Sequence, residues 1–385
     1  MRIALLQDEI YLPSLAGGIK ANRLLLEALA ARGHTCLALT RAVTRSPDGP
    51  QTRRGFRLEM ERRGLVLDSP ATDVLAYRYR NVHVEALDHD SKAARSVYLS
   101  QRIRAFQPDV VVVADDKRRL LLPSALEAAP YRVVLIVQTI MQLPFGPLSV
   151  APDPAQTERM TRARAVLAIS NYVKQYIEDH SALRAELLHF PVYGPGPFPL
   201  LADFDRGSIT MINPCDLKGV SVFRQLACAF PRLPFAAVPT WGSSDTLLSQ
   251  LRAVPNITLL SASDDIEHIL AQTRILLVPS LWPETFGYVV PEAMLRGIPV
   301  LAADVGGLRE AKLGVDYLLP VEPAIRQEGR YVCPPQQIGP WEAALSEITT
   351  HREKYIECSQ QSRRAAHDFA GRISIEAIED ALRLE

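Results

Sequence analysis

The stretch from Pro279 to Glu310 reads PSLWPETFGYVVPEAMLRGIPVLAADVGGLRE. It overlaps ILLVPS (Ile275–Ser280), an apolar run with the composition of a strand buried on both faces of a parallel sheet. Tyr288 to Arg296 has helical character, with Pro291 tolerated in the first turn. Glu284 is therefore expected at the carboxyl end of a strand, ahead of Phe286-Gly287 and a helix whose free N–H groups face the same crevice. Open α/β sheets bind ligands at that end, and helix N-termini attract phosphate. A carboxylate would repel phosphate, but it accepts well from the paired hydroxyls of a sugar or ribose. Glu284 and Glu292, with seven residues between them, thus suit a sugar nucleotide: one glutamate for each ring, with amides and glycines for the pyrophosphate. Solvated charges near helix ends are the alternative reading of two glutamates at this spacing.

Outward from this stretch, the chain shows a repeated rhythm. Short apolar strands alternate with helical patterns at Arg2–Gln7, Thr35–Thr40, Asp109–Ala114, Arg132–Gln138 and Ala165–Ile169. The pattern restarts at Ile209–Asn213 and continues through Phe235–Val238, Ile257–Leu260, Ile275–Val278 and Pro299–Ala303. Between the two blocks lies PVYGPGPFP (Pro191–Pro199), too rich in proline and glycine for helix or sheet. The expected class is α/β, with an N-terminal domain at 1–190, a linker at 191–207, a second domain at 208–368 and a C-terminal helix at 369–385 packing back toward the first domain. Two alternating blocks imply two doubly wound, Rossmann-like domains facing across a cleft.

Composition sets limits on function. The 385 residues carry 43 Lys and Arg against 43 Asp and Glu, so no overall basic balance points to nucleic acid. Hydrophobic residues make up 48%, enough for sizeable cores in two domains. Cys36, Cys215, Cys228, Cys333 and Cys358 are scattered with no C-x-x-C pair, as reduced thiols in a cytoplasmic protein would be. With no signal-peptide core or membrane-length apolar run in the sequence, a cytoplasmic location is expected.

The motifs carry a family resemblance. E-x-F-G-x-x-x-x-E (Glu284, Phe286, Gly287, Glu292), then G-x-P-V (Gly297, Pro299, Val300), then G-G-x-x-E (Gly306, Gly307, Glu310) resembles the donor site of retaining glycosyltransferases of family 4, which have the GT-B fold. The resemblance implies that a hexose-type sugar moves from a nucleotide donor, UDP- or GDP-linked, to a hydroxyl of a sugar, natural-product or lipid acceptor. Glu284 would hold the donor sugar, Glu292 the ribose, and Lys218 with the Gly287 amide the pyrophosphate, with Tyr288 and Phe286 alongside. It also implies that no metal or cofactor is needed, because lysine, arginine and helix amides meet the phosphate charge. The triplets Asp88-His-Asp90 and Asp203-Phe-Asp205 read as solvated loop charges.

Other stretches extend this resemblance. Gly17-Gly18-Ile19-Lys20 opens an amphipathic helix and is similar to the family's glycine-rich loop, where amides approach phosphate or acceptor and Lys20 adds a charge. An ordinary loop before a helix is the alternative. Ser170, in AVLAISNYV, is expected as a helix N-cap. Met211–Gly219 is similar to the pyrophosphate turn, with Lys218 and Gly219 in place, but Asn213 stands where an arginine is usual. Arg224 or Arg309 could supply the missing cation. Gln138-Thr139 occupies the place where many relatives have a histidine, so Gln138 can hydrogen-bond a sugar hydroxyl but cannot act as acid or base. Glu284, Lys218 and Gln138 are thus the expected catalytic groups. Asp115 and Asp116, at the end of the preceding strand, are alternative polar groups at the cleft, with solvated loop charges as the favoured reading.

Lys117-Arg118-Arg119 before LLLPSALEA allows a weak peripheral contact with an anionic membrane. A basic-edged core helix has the same pattern. A sugar-nucleotide epimerase, a pseudo-glycosyltransferase and a catalytically idle binding protein are the alternatives compatible with this fold.

Overall fold

A computed structural model describes residues 1–44, 49–89, 91–194 and 196–383. The chain forms two compact units, one of Met1–Val192 with Ile373–Glu385 and one of Tyr193–Arg372. Asp90 of the Asp88-His-Asp90 triplet lies outside the described residues.

Unit 1 begins with β1 (Arg2–Ile10), α1 (Gly17–Ala31), β2 (Thr35–Arg41) and α2 (Arg53–Arg62). It continues with β3 (Asp68–Ala71), β4 (Val74–Tyr79), β5 (Val82–Leu87) and α3 (Lys92–Phe106). Then come β6 (Val110–Ala114), α4 (Leu121–Ala128), β7 (Val133–Val137), α5 (Pro154–Met160), β8 (Ala165–Ala168), α6 (Asn171–His180) and β9 (Glu186–Leu187). The strands form a nine-stranded sheet in the order β3-β4-β5-β2-β1-β6-β7-β8-β9. β1 pairs in parallel with β2 on one side and β6 on the other, so the strand order reverses beside β1. Ile3, Leu5, Val111 and Val113 are among its fully buried core side chains.

The antiparallel strands β3 and β4, with β4 also antiparallel to β5, were not expected from the sequence. β3 is four exposed residues, DSPA, which carry no apolar alternation to read.

In unit 2, β10 (Ser208–Ile212) leads to α7 (Val220–Ala229), β11 (Phe235–Val238), α8 (Asp245–Arg252), β12 (Ile257–Leu259), α9 (Glu267–Leu270) and β13 (Thr273–Val278). Next are α10 (Val289–Leu295), β14 (Val300–Ala303), α11 (Leu308–Ala311) and β15 (Leu318–Leu319). A hairpin of β16 (Ile325–Gln327) and β17 (Arg330–Val332) precedes α12 (Gly339–Thr350) and α13 (Arg352–Gly371). The main sheet is parallel throughout, in the order β12-β11-β10-β13-β14-β15. Its order reverses between β10 and β13, which places a crevice at their carboxyl ends.

The last helix, α14 (Ile375–Leu382), belongs to unit 1. Glu379 bonds His34 at 2.9 Å and Arg32 at 3.1 Å, so α14 is pinned just beyond the end of α1. Hydrogen bonds from Arg32 and His34 hold the Glu379 carboxyl down at about 2.

One pattern with two readings is decided here, and one expectation is corrected. Leu121, Leu122 and Leu126 of α4 are buried, so the apolar face of that helix is core and does not offer itself to a membrane. Among the described residues, no helix is long and apolar enough to cross one. Asp115 and Asp116 are not solvated. Asp115 accepts from the backbone N–H groups of Gln138 and Thr139, each at 3.1 Å, and from Thr139 Oγ1 at 2.8 Å. Asp116 caps α4, accepting from the N–H groups of Leu120, Leu121 and Leu122 at 2.8–3.0 Å. Burial raises both carboxyl pKa values despite these bonds.

A buried carboxylate on β5 makes the fold acid-sensitive. Burial pushes the Glu85 carboxyl up, but bonds from His83, Arg102 and Tyr98 outweigh it and bring the pKa down to about 2. A depressed carboxyl stabilises the fold above its unfolded pKa and loses that contribution as pH falls through the folded value. Glu85→Gln should therefore cost about 3 kcal/mol at neutral pH. In urea denaturation, the gap from the wild type should narrow as pH drops from about 4.5 toward 2.

Candidate active site

The parallel sheet of unit 2 brings two sequence motifs together at its switch point. After β10, Asp216–Lys218 forms one 3-10 turn, ending at Gly219 with φ +78°. After β13, Pro279–Phe286 forms the loop that carries Glu284. These segments touch backbone to backbone. The N–H groups of Leu281 and Trp282 both bond the carbonyl of Leu217, at 3.0 and 2.9 Å. A Cβ on Gly219 would overlap the carbonyl oxygen of Pro279, and any L side chain at that φ is strained as well.

The G-G-x-x-E motif supports the same loop from the other side. The N–H of Gly307 donates to Glu284 O at 2.7 Å. A Cβ on Gly306 would lie 2.6 Å from that oxygen, and one on Gly307 would overlap the carbonyl of Thr285. These glycines are required because loop and turn meet at backbone distance.

On this framework, Lys218 Nζ pairs with Glu284 Oε1 at 2.5 Å, the lysine side chain 23% exposed and the carboxylate 13%. Ser280 Oγ lies 2.8 Å from the same carboxylate oxygen. Sequence reasoning placed Lys218 and Glu284 on different parts of a ligand; the structure instead joins them directly. It did not identify Ser280, whose only sequence signal is its position at the end of the apolar run.

The remaining expected residues of unit 2 divide by environment. Asn213 has φ +59°, and its Oδ1 accepts from Gly242 N–H at 2.9 Å. Its amide orientation follows: with the oxygen on a donor, Nδ2 is the face left to give hydrogen bonds. Arg224 bonds Gln250 and Arg309 pairs with Asp304, so both proposed substitutes for the missing arginine are engaged elsewhere. Phe286 is buried against Tyr288, with ring centroids 5.6 Å apart, and against Phe369 at 5.8 Å. It holds the loop to α13. Glu292 is buried in the first turn of α10. Gly287, with φ +95°, packs closely against Leu308.

The expected residues of unit 1 gather separately. Gly17, Gly18 and Lys20 open α1, whose N-cap Ala16 provides no side-chain bond. Gln138 follows β7, is 4% exposed and lies against Gly18. Ser170 caps α6, accepting from Val173 N–H at 3.1 Å. Of the acidic triplets, Asp205 pairs with Arg352 at 2.7 Å and Asp88 lies 3.8 Å from Arg53. Among the described residues, no group of three or more potential metal ligands occurs.

Residues 225–334, which include the whole Pro279–Glu310 stretch, match the family described as Glycosyl transferases group 1. A 109-residue stretch is 32% identical to the alpha-1,3/1,6-mannosyltransferase alg-2 of Neurospora crassa, covering 28% of this chain. That match spans 21% of the length of the mannosyltransferase. Sucrose-phosphate synthase from Thermosynechococcus elongatus superposes with a TM-score of 0.70 over 99% of this chain and 98% of its own, at 16% identity. Anabaena Alr3699/HepE, solved in complex with UDP and glucose, gives 0.69 over the same shares at 14% identity. The fold is GT-B, and the resemblance to the group 1 glycosyltransferases holds.

Gly219→Ala should lower stability by about 2 kcal/mol or more, because it adds left-handed strain to a backbone overlap. A thermal melt of the variant would check this. A melting temperature equal to that of the wild type would refute the close approach at Pro279.

Proposed function

We propose that this protein is a retaining glycosyltransferase that moves a hexose-type sugar from a nucleoside-diphosphate donor to an acceptor hydroxyl. The observation that carries this reading is the Lys218–Glu284 pair at the switch point of the unit 2 sheet. Without ligand, the two charges neutralise each other. A nucleotide sugar presents a partner to each: the diphosphate, with more charge than one carboxylate, for Lys218, and paired hydroxyls for the carboxylate. The pair is then a stored donor and a stored acceptor, and Ser280 keeps Glu284 in position while its lysine partner turns away.

The chemistry follows from charge. The bond between the sugar's anomeric carbon and the diphosphate oxygen breaks, and a bond to the acceptor oxygen forms on the same face. The acceptor proton passes to the departing phosphate oxygen. Charge grows on the leaving diphosphate, and Lys218, the Gly287 amide and the Asn213 amide are the donors available to meet it. In this reading no metal ion is needed there. Asn213 takes over part of the arginine's role with a neutral donor, which gives less charge stabilisation than a guanidinium fork would. Glu292 takes the ribose hydroxyls. UDP is the nucleotide to test first, because HepE is described with UDP and UDP-glucose.

A thermal-shift panel of nucleoside diphosphates and their hexose conjugates would test the proposal. One of UDP or GDP should raise the melting temperature, and Lys218→Met should weaken that nucleotide about tenfold or more, as loss of a charge-assisted contact does. Glu292→Ala should also weaken the free nucleotide. Glu284→Ala should leave nucleotide affinity nearly intact while reducing sugar transfer at least a hundredfold. Failure of every nucleotide to shift the wild-type melt would refute the donor site.

A further inference from the structure

The carboxyl end of β1 carries different chemistry toward different helices. Toward α1 it is neutral: Gln7 Nε2 donates to the carbonyl of Ile10 at 2.9 Å, Asn22 Nδ2 donates to Gln7 Oε1 at 3.1 Å, and Gln138 Nε2 donates to Asn22 Oδ1, a directed line of buried carboxamides. Asp8, the next residue, turns instead to α3, where Arg95 pairs with it at 2.7 Å. Arg41 ends β2 and lies beside Ile10 in the parallel register. The backbone N–H of Arg118, in the loop after β6, donates to Asp8 at 3.2 Å. Three separate segments of unit 1 thus bring an arginine to the same strand end.

The positive charge there is not fully answered. Arg95 takes Asp8, Lys117 takes Glu9 at 3.0 Å, and the neighbouring Asp116 is satisfied by the start of α4. Arg41 is 9% exposed, and among the described residues its one hydrogen bond runs from Nε to the carbonyl of Val43 at 3.3 Å. Its Nη1 is buried without a partner, and so is Nε of Arg95. Burial lowers the Arg41 pKa, Arg95 and Arg118 lower it further, and Asp8 and Glu9 do not cancel the effect. α3 adds to the positive field. Its first turn holds no acidic residue, and Lys92 and Arg95 stand at the end where the helix dipole disfavours cations.

Leaving a buried polar N–H unpaired costs about 1–3 kcal/mol, and more when it is charged. An incoming anion offsets that cost. A neutral hydroxyl brings no charge and a carboxylate brings one, whereas a phosphoryl group brings up to about two, on three acceptor oxygens. Its oxygens suit guanidinium N–H groups that come from different side chains, with the exposed Arg118 beside them. We infer that Arg41, Arg95 and Arg118 form an oxyanion site in unit 1, on the α3 side of β1, for a phosphoryl group other than the donor's diphosphate. The site stands on unit 1 alone; calling a phosphorylated sugar bound there the acceptor rests on the reading of the protein as a glycosyltransferase.

The test is calorimetric titration of the full chain with inorganic phosphate, glucose 6-phosphate, glucose and UDP. At least one of the two phosphate probes should bind, with glucose at least about tenfold weaker. Arg41→Gln should weaken that phosphate probe roughly tenfold or more and leave UDP within about twofold. Arg41→Lys, which keeps the charge and loses the fork, should lose less than Arg41→Gln. Arg118→Glu reverses a charge at an exposed position, so it should fold as the wild type does and weaken the phosphate probe about tenfold or more. It carries the test if Arg41→Gln fails to fold. Tighter binding of glucose 6-phosphate than of inorganic phosphate identifies a phosphorylated sugar as the ligand; equal or tighter binding of inorganic phosphate identifies the free ion. Unchanged phosphate affinity in folded Arg41→Gln or in Arg118→Glu marks the arginines as structural and overturns the inference. A tenfold loss of UDP in Arg41→Gln would give these cations to the donor and overturn it as well. If a phosphate probe binds and UDP does not, the donor site of unit 2 is refuted and this inference stands. If UDP binds and neither phosphate probe does, this inference is overturned and the donor site stands.

Discussion

The backbone contact between Gly219 and Pro279, with Gly306 and Gly307 closing on the same loop, is the constraint on which the rest of unit 2's site depends. Loops that meet through side chains can drift as rotamers change. Loops that meet at carbonyl-to-Cα distance cannot, because a shift of a few tenths of an ångström is either a clash or a lost hydrogen bond. Leu217 O anchors two successive N–H groups of the Glu284 loop, and Gly307 N–H anchors Glu284 itself. The functional side chains are mounted on this rigid base. The Lys218–Glu284 pair contributes little to holding it together, since a partly exposed ion pair is worth at most about 1 kcal/mol. The base positions the pair, and the pair keeps two opposite charges ready at one point.

The two units solve similar problems with different chemistry. Both are doubly wound sheets whose strand order reverses beside the first strand, and in both the polar residues of interest follow strands near that reversal. Unit 2 places a cation and an anion there. Unit 1 places neutral amides, and its nearby carboxylates are occupied: Asp8 by Arg95 at 2.7 Å, Asp115 by the turn after β7, and Asp116 by the start of α4.

Much of this was legible in the sequence where the physics is local. A strand buried on both faces must be apolar along its length, so ILLVPS and its counterparts identify themselves. Glycines packed against backbone cannot be replaced without strain, so Gly219, Gly306 and Gly307 stand out as a pattern. Elsewhere the same residue types had two readings that only neighbours could separate. Asp115 and Asp116 look like a solvated pair because acidic residues after a strand usually are; here the N–H groups of β7's turn and of α4 enclose them. The leucines of α4 suit a core first and a membrane edge second, and packing against α3 is what makes them core.

The sequence by itself determined the α/β class, the alternation of strand and helix in two blocks, and the presence of Glu284, Lys218 and their glycines at strand ends. These follow from periodicity and from backbone sterics, both written along the chain. Only the tertiary structure decided that Lys218 and Glu284 touch, that Asn213 turns its oxygen inward, and that Gln7, Asn22 and Gln138 form one directed line. Those residues are brought together from 15 to 116 positions apart. The direction of a hydrogen bond between amides depends on which atom lies at the far end, and that is fixed by the folded backbone rather than by residue type.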